Sequence, residues 1–444
     1  MRVTVIGLGK LGLCTAACLA SKGHRVIGVD NNPAVLASLR QRQNPISEPG
    51  LDDLLSRSWS MFSVTENVTQ AVQETDLTLI IVPTPSGADG RFINTYVIAA
   101  LESVAPALAA MKSYHVVDVI STVMPRSSDG EFIPLLERTS GKRCGPDFGF
   151  AYNPEFIALG SVIHDFLNPD MVLIGESDSR AGTVVESLYA SICDNTPCFS
   201  RMSLINAEVT KLSLNCFLTM KISFANELAA VCEHIPGADV DVISAALGAD
   251  TRIGSRYLQG GLGFGGPCFP RDNRAFAACA EGHGYQTCIG PQVIAVNHGV
   301  LDRLARMVHG AVQVPGSVAL LGLSYKEDTH IVEESQPIQL ALRLADDGYK
   351  ISVYDPQATE SARAILGDRV HYAPSALDCA QGAEVILLMT AWPQIRTLPW
   401  KELAAQMEPP VALIDCWRIV PPADRASFHY QALGLGPVFQ GDEP

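Results

Sequence analysis

The chain has 444 residues, 47% hydrophobic and 18% charged, which is ample core material and far from a disordered composition. Its 32 lysines and arginines against 47 aspartates and glutamates leave a formal charge of −15. With no compensating basic cluster, that balance excludes a nucleic-acid binder, although a few local cations and amides could still hold an anionic substrate.

The length prior gives about three domains. No run of about 18 apolar residues offers a membrane span. The apolar start Met1–Ile6 is too short for a secretory leader. The twelve cysteines are scattered, with no CxxC pair to suggest structural zinc. These features predict a cytoplasmic protein with reduced thiols, no membrane association and no metal.

In chain order, residues 2–6 read as a short apolar strand, residues 10–22 as a helix and Arg25–Asp30 as the next strand. Buried strands are expected at Leu77–Val82, His115–Ile120 and Asp170–Gly175, with a helix at Val97–Met111 between two of them. This alternation predicts a doubly wound α/β domain with a parallel sheet over residues 1–200. Asn206–His234 contains neither proline nor glycine and carries Leu212, Phe217, Met220, Phe224, Leu228 and Val231, the pattern of a long buried helix. It opens a central helical region, residues 201–312, interrupted by a glycine loop. A second Rossmann-like α/β domain, residues 313–444, follows. Its strands are expected at Val318–Ser324, Tyr349–Asp355, Glu384–Thr390 and Val411–Asp415, with a helix at Gln336–Asp347. The layout resembles the first domain without its glycine motif. Residues 436–444 read as a loosely held tail.

Gly7-Leu8-Gly9-Lys10-Leu11-Gly12 is GxGxxG placed directly after a strand and opening a helix. Its glycines permit a tight turn and close approach of a pyrophosphate, whose charge the helix N-terminus favours. Asp30 closes the next strand, where a carboxylate would bond ribose hydroxyls and repel a 2′-phosphate, favouring NAD over NADP. The alternative is a remnant or a site for another nucleotide.

On the long helix Glu208, Lys211 and Asn215 are three and four residues apart and share a face. That face could close a domain interface, or its buried cation could stabilise an oxyanion. The run 260–272 is crowded with glycines and ends in Cys268-Phe-Pro270-Arg271-Asp272. Pro270 suits a first helical turn. A cysteine beside a helix N-terminus has its thiolate favoured, and the thiolate is the nucleophile. A redox cofactor with an activated thiol points to an oxidation through a covalent thioester.

Together the motifs resemble the UDP-glucose/GDP-mannose dehydrogenase family of nucleotide-sugar 6-dehydrogenases over nearly the whole chain. They are the glycine turn, Val82-Pro-Thr84-Pro85, Ser121-Thr122-Val123, Asn153-Pro-Glu155-Phe156, Glu208-x-x-Lys211-x-x-x-Asn215, Lys221–Glu227, Arg252-Ile-Gly254, Phe264–Asp272 and Gly322-Leu-Ser-Tyr325-Lys326. The resemblance implies an NAD domain, a central dimerisation region and a C-terminal domain holding the nucleotide diphosphate. It implies a homodimer that oxidises the sugar C6 alcohol to a carboxylate with two NAD. UDP-glucose is the expected substrate, with GDP-mannose or a UDP-N-acetylhexosamine as the alternatives. A catalytically weakened NAD and sugar-nucleotide binding protein is the alternative of a different class.

By matching position, Cys268 is the covalent nucleophile. Lys211 and Asn215 hold the sugar and its oxyanion, and Asp272 and Thr122 organise water and protons. Glu155 and Phe156 lie by the sugar, while Thr84 and Arg271 join Gly7–Gly12 and Asp30 around the cofactor. Arg252 reaches substrate phosphates across a dimer interface. Tyr257, Gly265, Tyr325 and Lys326 line the substrate pocket. Four positions depart from the family pattern: Leu159 stands for a second glutamate, Glu333 for an arginine near the cofactor, and Arg271 for a lysine. The fourth, Asp415-Cys-Trp-Arg418, replaces Asp-Gly-Arg, so a substrate arginine is shifted to Arg418 or lost. The first two predict slow thioester hydrolysis and weakened NAD binding.

Overall fold

The computed structural model describes residues 1–157, 160–405, 407 and 411–437. The chain divides into two compact units, residues 1–213 and 214–444, with the boundary in sequence falling inside the long helix Leu204–Cys232.

The first unit is built on an eight-stranded sheet. Its strands are β1 (Arg2–Ile6), β2 (Arg25–Val29), β3 (Phe62–Thr65), β4 (Leu77–Ile80), β5 (Val116–Val119), β6 (Gly149–Tyr152), β7 (Met171–Glu176) and β8 (Cys198–Ser203). They lie in the order 3-2-1-4-5-6-7-8. All neighbours are parallel except β6 and β7, which pair antiparallel, so the expected parallel sheet carries a two-stranded reversed edge. The order reverses direction at β1, and the crevice beyond the strand ends there is where an open α/β sheet binds its ligand.

Side chains alternate across the sheet. Val3 and Val5 enter a core with Leu13, Leu19 and Leu188 on one face. Ile6, Ile80 and Val119 enter another with Leu101 and Leu108 on the opposite face. Each such aliphatic stabilises the fold by about 1.5–3 kcal/mol on burial. Both faces are covered, which is why these strands read as continuous apolar runs.

The second unit holds a six-stranded, wholly parallel sheet. Its strands are β9 (Ser317–Leu321), β10 (Lys350–Tyr354), β11 (His371–Tyr372), β12 (Val385–Leu388), β13 (Ala412–Asp415) and β14 (His429–Ala432). Their order, 11-10-9-12-13-14, repeats the first six positions of the other sheet. Val318 and Leu320 pack on Leu304 and Leu340, whereas Ala319 and Leu321 face Trp392 and Trp400. The helices Val240–Gly248, Phe269–Gly282 and Ile289–Ala311 precede the sheet.

Two expectations need correction. The long helix is not buried throughout: Leu212 is buried, but Phe217, Phe224 and Val231 are exposed by 58%, 53% and 49%. Nor is the start of the tail loose. The Gly436 amide donates to the Ala238 carbonyl and the Gly237 amide to that of Pro437, while residues 438–444 lie outside the described residues. Among the described residues no helix is long and apolar enough to cross a membrane.

Candidate active site

In the first unit the glycine turn is shaped as its spacing predicts. Gly7 has φ +94°, and a Cβ there would stand 2.2 Å from the Ile81 carbonyl oxygen. A Cβ on Gly12 would stand 1.8 Å from the Gly7 oxygen. Neither position admits a side chain. Gly9, the N-cap of the helix Lys10–Ser21, differs: a Cβ there would meet nothing within 4 Å. The open side of Gly9 lies where the helix N-terminus leaves its first amides without partners in the helix.

Asp30, at the end of β2, accepts the Leu8 amide at 2.7 Å on one oxygen and the Asn32 amide at 2.7 Å on the other. Two carboxylate oxygens offer about four acceptor sites, so capacity remains for hydroxyl donors. The open glycine, the helix N-terminus and the half-used carboxylate together fit a dinucleotide. Lys10 is drawn to Glu48, 3.2 Å away and almost fully buried, whose other oxygen accepts the Val162 amide at 3.0 Å.

Thr84 and Thr122 come together: the Thr84 hydroxyl donates to the Thr122 carbonyl at 2.7 Å. Lys211 donates to the Glu155 backbone carbonyl at 2.5 Å and sits 4.4 Å above the Phe156 ring. Glu155 as a residue is only half-buried, yet its carboxylate end is enclosed. Burial pushes its pKa up to about 7, against the opposing effects of the Tyr189 hydroxyl and Lys211. Glu208 is fully buried and accepts the Arg126 and Ser128 amides at 2.6 and 2.8 Å. Of the polar face seen in the sequence, this member pins a loop.

In the second unit Cys268 is the exposed N-cap of the helix Phe269–Gly282, and Pro270 stands in its first turn. The first helical hydrogen bond runs from the Asp272 amide to the Cys268 carbonyl at 2.8 Å. Asp272 is buried, accepts the Asn215 side-chain amide at 2.6 Å and has Arg271 3.6 Å from its other oxygen. Cys268, Arg271, Asp272 and Asn215 therefore form one cluster.

The glycine loop before Cys268 is held through its backbone. The Gly261 amide donates to Asn226, Gly263 to Gln336 and Phe264 to Asn297. A Cβ on Gly265 would lie 2.4 Å from the Glu334 oxygen, and one on Gly266 would lie 2.7 Å from the Tyr325 ring. Tyr325 joins the cluster: burial, with a contribution from Cys268, pushes its hydroxyl up to about 12. Lys326 stands 6.0 Å from the Tyr325 ring centre, and Tyr257 packs edge-on to Phe269. Arg252 points outward, 87% exposed, paired with Asp250 at 2.6 Å.

Residues 1–193 match the NAD binding domain, 205–299 the central domain and 319–422 the UDP binding domain of one family. The chain belongs to the UDP-glucose/GDP-mannose dehydrogenase family. It is an NAD-dependent dehydrogenase of nucleotide sugars. The UDP-glucose 6-dehydrogenase of Haloferax volcanii is 36% identical over 437 residues, 98% of this chain and 100% of that one. The GDP-mannose 6-dehydrogenase of Azotobacter vinelandii is 34% identical over 80% of this chain and 81% of that one. A solved UDP-glucose dehydrogenase from Pyrobaculum islandicum is 34% identical, covers 98% of each chain and superposes with a TM-score of 0.87.

The departures from the family pattern now have structural settings. Leu159 lies outside the described residues. Glu333 is exposed, and its backbone carbonyl accepts the Gly266 amide at 3.0 Å. Arg418 binds Asp241 through two nitrogens, at 2.7 and 2.8 Å, and donates to the carbonyls of Leu433 and Gly260, so its donors are taken up within its own unit.

Sequence reasoning missed Tyr189, which donates to Glu155 at 2.5 Å, and the fully buried Asp118 on β5. Asp118 carried a signal, a lone acid in an apolar strand. Tyr189 carried none, because an aromatic on an amphipathic helix reads as ordinary core.

Proposed function

We propose that this chain oxidises the C6 alcohol of UDP-glucose to the carboxylate in two two-electron steps through a thioester on Cys268. The observation that carries this reading is the cluster around Cys268: a thiol at a helix N-terminus, with a buried carboxylate one turn on held by Asn215. The helix end favours the thiolate. Bound NAD, for which Gly7–Gly12 and Asp30 are suited, supplies the hydride acceptor for each oxidation.

In this reading the first oxidation leaves an aldehyde at C6. The Cys268 thiolate adds to it, and the alkoxide of the resulting thiohemiacetal is met by Lys211 and Asn215. The second oxidation turns the thiohemiacetal into the thioester. Water then attacks the thioester carbon, the C–S bond breaks, and the sulfur leaves as thiolate. Asp272 and Thr122 hold that water, and the carboxylates of Asp272 and Glu155 accept the protons released. Covalent capture keeps the aldehyde bound between the two oxidations.

We assign residues 1–200 to cofactor binding, 201–312 to dimerisation and catalysis, and 313–444 to the nucleotide diphosphate, with Tyr257, Gly265, Tyr325 and Lys326 at the substrate and Arg271 and Thr84 at the cofactor. A homodimer is supported by the long helix, where Phe217, Phe224 and Val231 recur every seventh position and are exposed in the single chain. The exposed Arg252 is then available to the partner's substrate. The setting is cytoplasmic. UDP-glucose is preferred because the 36%-identical relative acts on it. NADH yield from a panel of UDP- and GDP-linked sugars tests the proposal. Two NADH per uronate, highest with UDP-glucose, is expected, and one NADH per released aldehyde would refute it.

A further inference from the structure

Tyr189 sits on the helix Ser179–Ile192 of the first unit and is 2% exposed. The helix is fixed at its start by Asp178, which accepts the amides of Arg180 and Ala181. The Tyr189 ring packs against Phe166, with centroids 5.7 Å apart. With helix and ring both fixed, the hydroxyl has one direction, and it donates to Glu155 Oε1 at 2.5 Å. Lys211 holds the same residue through its backbone carbonyl.

One other acid is coupled to this carboxylate. Asp118 on β5 is completely buried, and neither of its oxygens has a hydrogen-bond partner among the described residues. Burial, aided by Glu155, holds its carboxyl well above the usual carboxylate range. The remaining titratable groups whose charge couples to Glu155 are the Cys18 thiol from the helix Lys10–Ser21 and the Cys193 thiol, and burial pushes both upward. At neutral pH the Tyr189 hydroxyl and the Lys211 ammonium are therefore the groups that favour the Glu155 anion.

We propose that Tyr189 is a positioning residue for the sugar oxidation: its buried hydroxyl fixes the Glu155 carboxylate in one orientation and stabilises its anion, presenting Glu155 as the base that takes a proton released at C6. This rests on the reading that Glu155 lies by the sugar. A purely structural Tyr189 would instead be a core aromatic whose hydroxyl happens to find a partner.

The test compares Tyr189→Phe, Glu155→Gln and the double variant, all as the full chain. Tyr189→Phe keeps the ring and its packing and removes one donor. A hydrogen bond to a charged group corresponds to a shift of roughly one to two pH units. The ¹³C resonance of the Glu155 carboxyl, assigned by its loss in Glu155→Gln, should titrate that much higher in the NAD-free protein. Turnover at pH 7 should fall roughly tenfold and recover by pH 9 as the carboxylate forms again, with KM for the nucleotide sugar unchanged. In the Glu155→Gln background, Tyr189→Phe should have no further effect on rate or pH profile. An unshifted Glu155 titration, or a loss of rate that high pH does not restore, overturns the proposal. If Glu155→Gln alone keeps the wild-type rate and profile, the placement of Glu155 at the sugar fails, and the role of Tyr189 fails with it.

Discussion

The two sheets carry the same turn at the same place, and only one of the turns is open to a ligand. At the end of β1 the Gly7 amide donates to Val29 at 2.8 Å and the Leu8 amide to Asp30 at 2.7 Å. At the end of β9 the Gly322 amide donates to Tyr354 at 2.8 Å and the Leu323 amide to Asp355 at 2.7 Å. Gly7 and Gly322 have φ of +94° and +100°. The acids differ in what else they hold. Asp30 receives two backbone amides. Asp355 is buried and receives the amides of Leu323, Ser324, Gln357 and Ala358, the Ser324 hydroxyl and the Trp392 indole N–H. Its acceptor sites are filled, so it has no capacity left for a ribose. The first turn also runs straight into its helix at Lys10, whereas residues 324–335 intervene before the helix at Gln336. The lesson is that topology supplies the crevice, and a glycine with space beside it and an unsaturated acid decide whether a dinucleotide fits.

The largest effect should come from breaking the filled turn. Asp355→Ala would leave several buried donors without acceptors, and we expect the second unit to lose about 3 kcal/mol or more of stability. Denaturant unfolding followed by tryptophan fluorescence measures this, since Trp392 reports the site. The same substitution at the open turn, Asp30→Ala, should leave unfolding nearly unchanged and weaken NAD.

A smaller effect is expected from closing the open turn. Gly9→Val would fill the empty side of the helix N-cap, and NAD affinity should fall roughly a hundredfold, about 2.7 kcal/mol. Calorimetric titration with NAD checks this. Wild-type affinity in that variant would place the cofactor elsewhere.

Much of this was legible in the sequence. Each turn-bearing strand, β1 and β9, is an apolar run followed by a strand closed by an acid, β2 at Asp30 and β10 at Asp355, so both α/β layouts could be read. The strands the pattern missed are β3, β6, β8, β11 and β14. Of these β8, Cys-Phe-Ser-Arg-Met-Ser, is largely polar and partly exposed, and β11 has two residues. Edge strands bury one side at most and lose the apolar signal. The filling of Asp355 was not legible, because Trp392 reaches it from a loop after β12. The exposed stripe on the long helix was also hidden, since an exposed apolar residue and one in a core look alike in sequence.

The smallest effect concerns Asp118. Burial raises its carboxyl well above the usual carboxylate range in the fold, while in the unfolded chain it ionises above about pH 4. The unfolded state therefore gains stability as pH rises beyond that value, and the fold loses it in proportion until Asp118 ionises in place. Asp118→Asn removes this difference. Its Tm should match the wild type near pH 4 and exceed it by a growing margin as the pH rises towards 7–8. A lower Tm at pH 7–8 would mean that Asp118 is charged and has a partner.

The account turns on Cys268, and intact-mass analysis of enzyme quenched during turnover with UDP-glucose and NAD tests it most directly. The wild-type chain should carry a mass increment equal to the acyl group of the nucleotide sugar, mapped to the peptide containing Cys268 and removed by hydroxylamine. Cys268→Ser should carry no adduct and stop after the first oxidation at most, because an alkoxide is far harder to form than a thiolate at neutral pH. Uronate production at the wild-type rate by Cys268→Ser would contradict the mechanism.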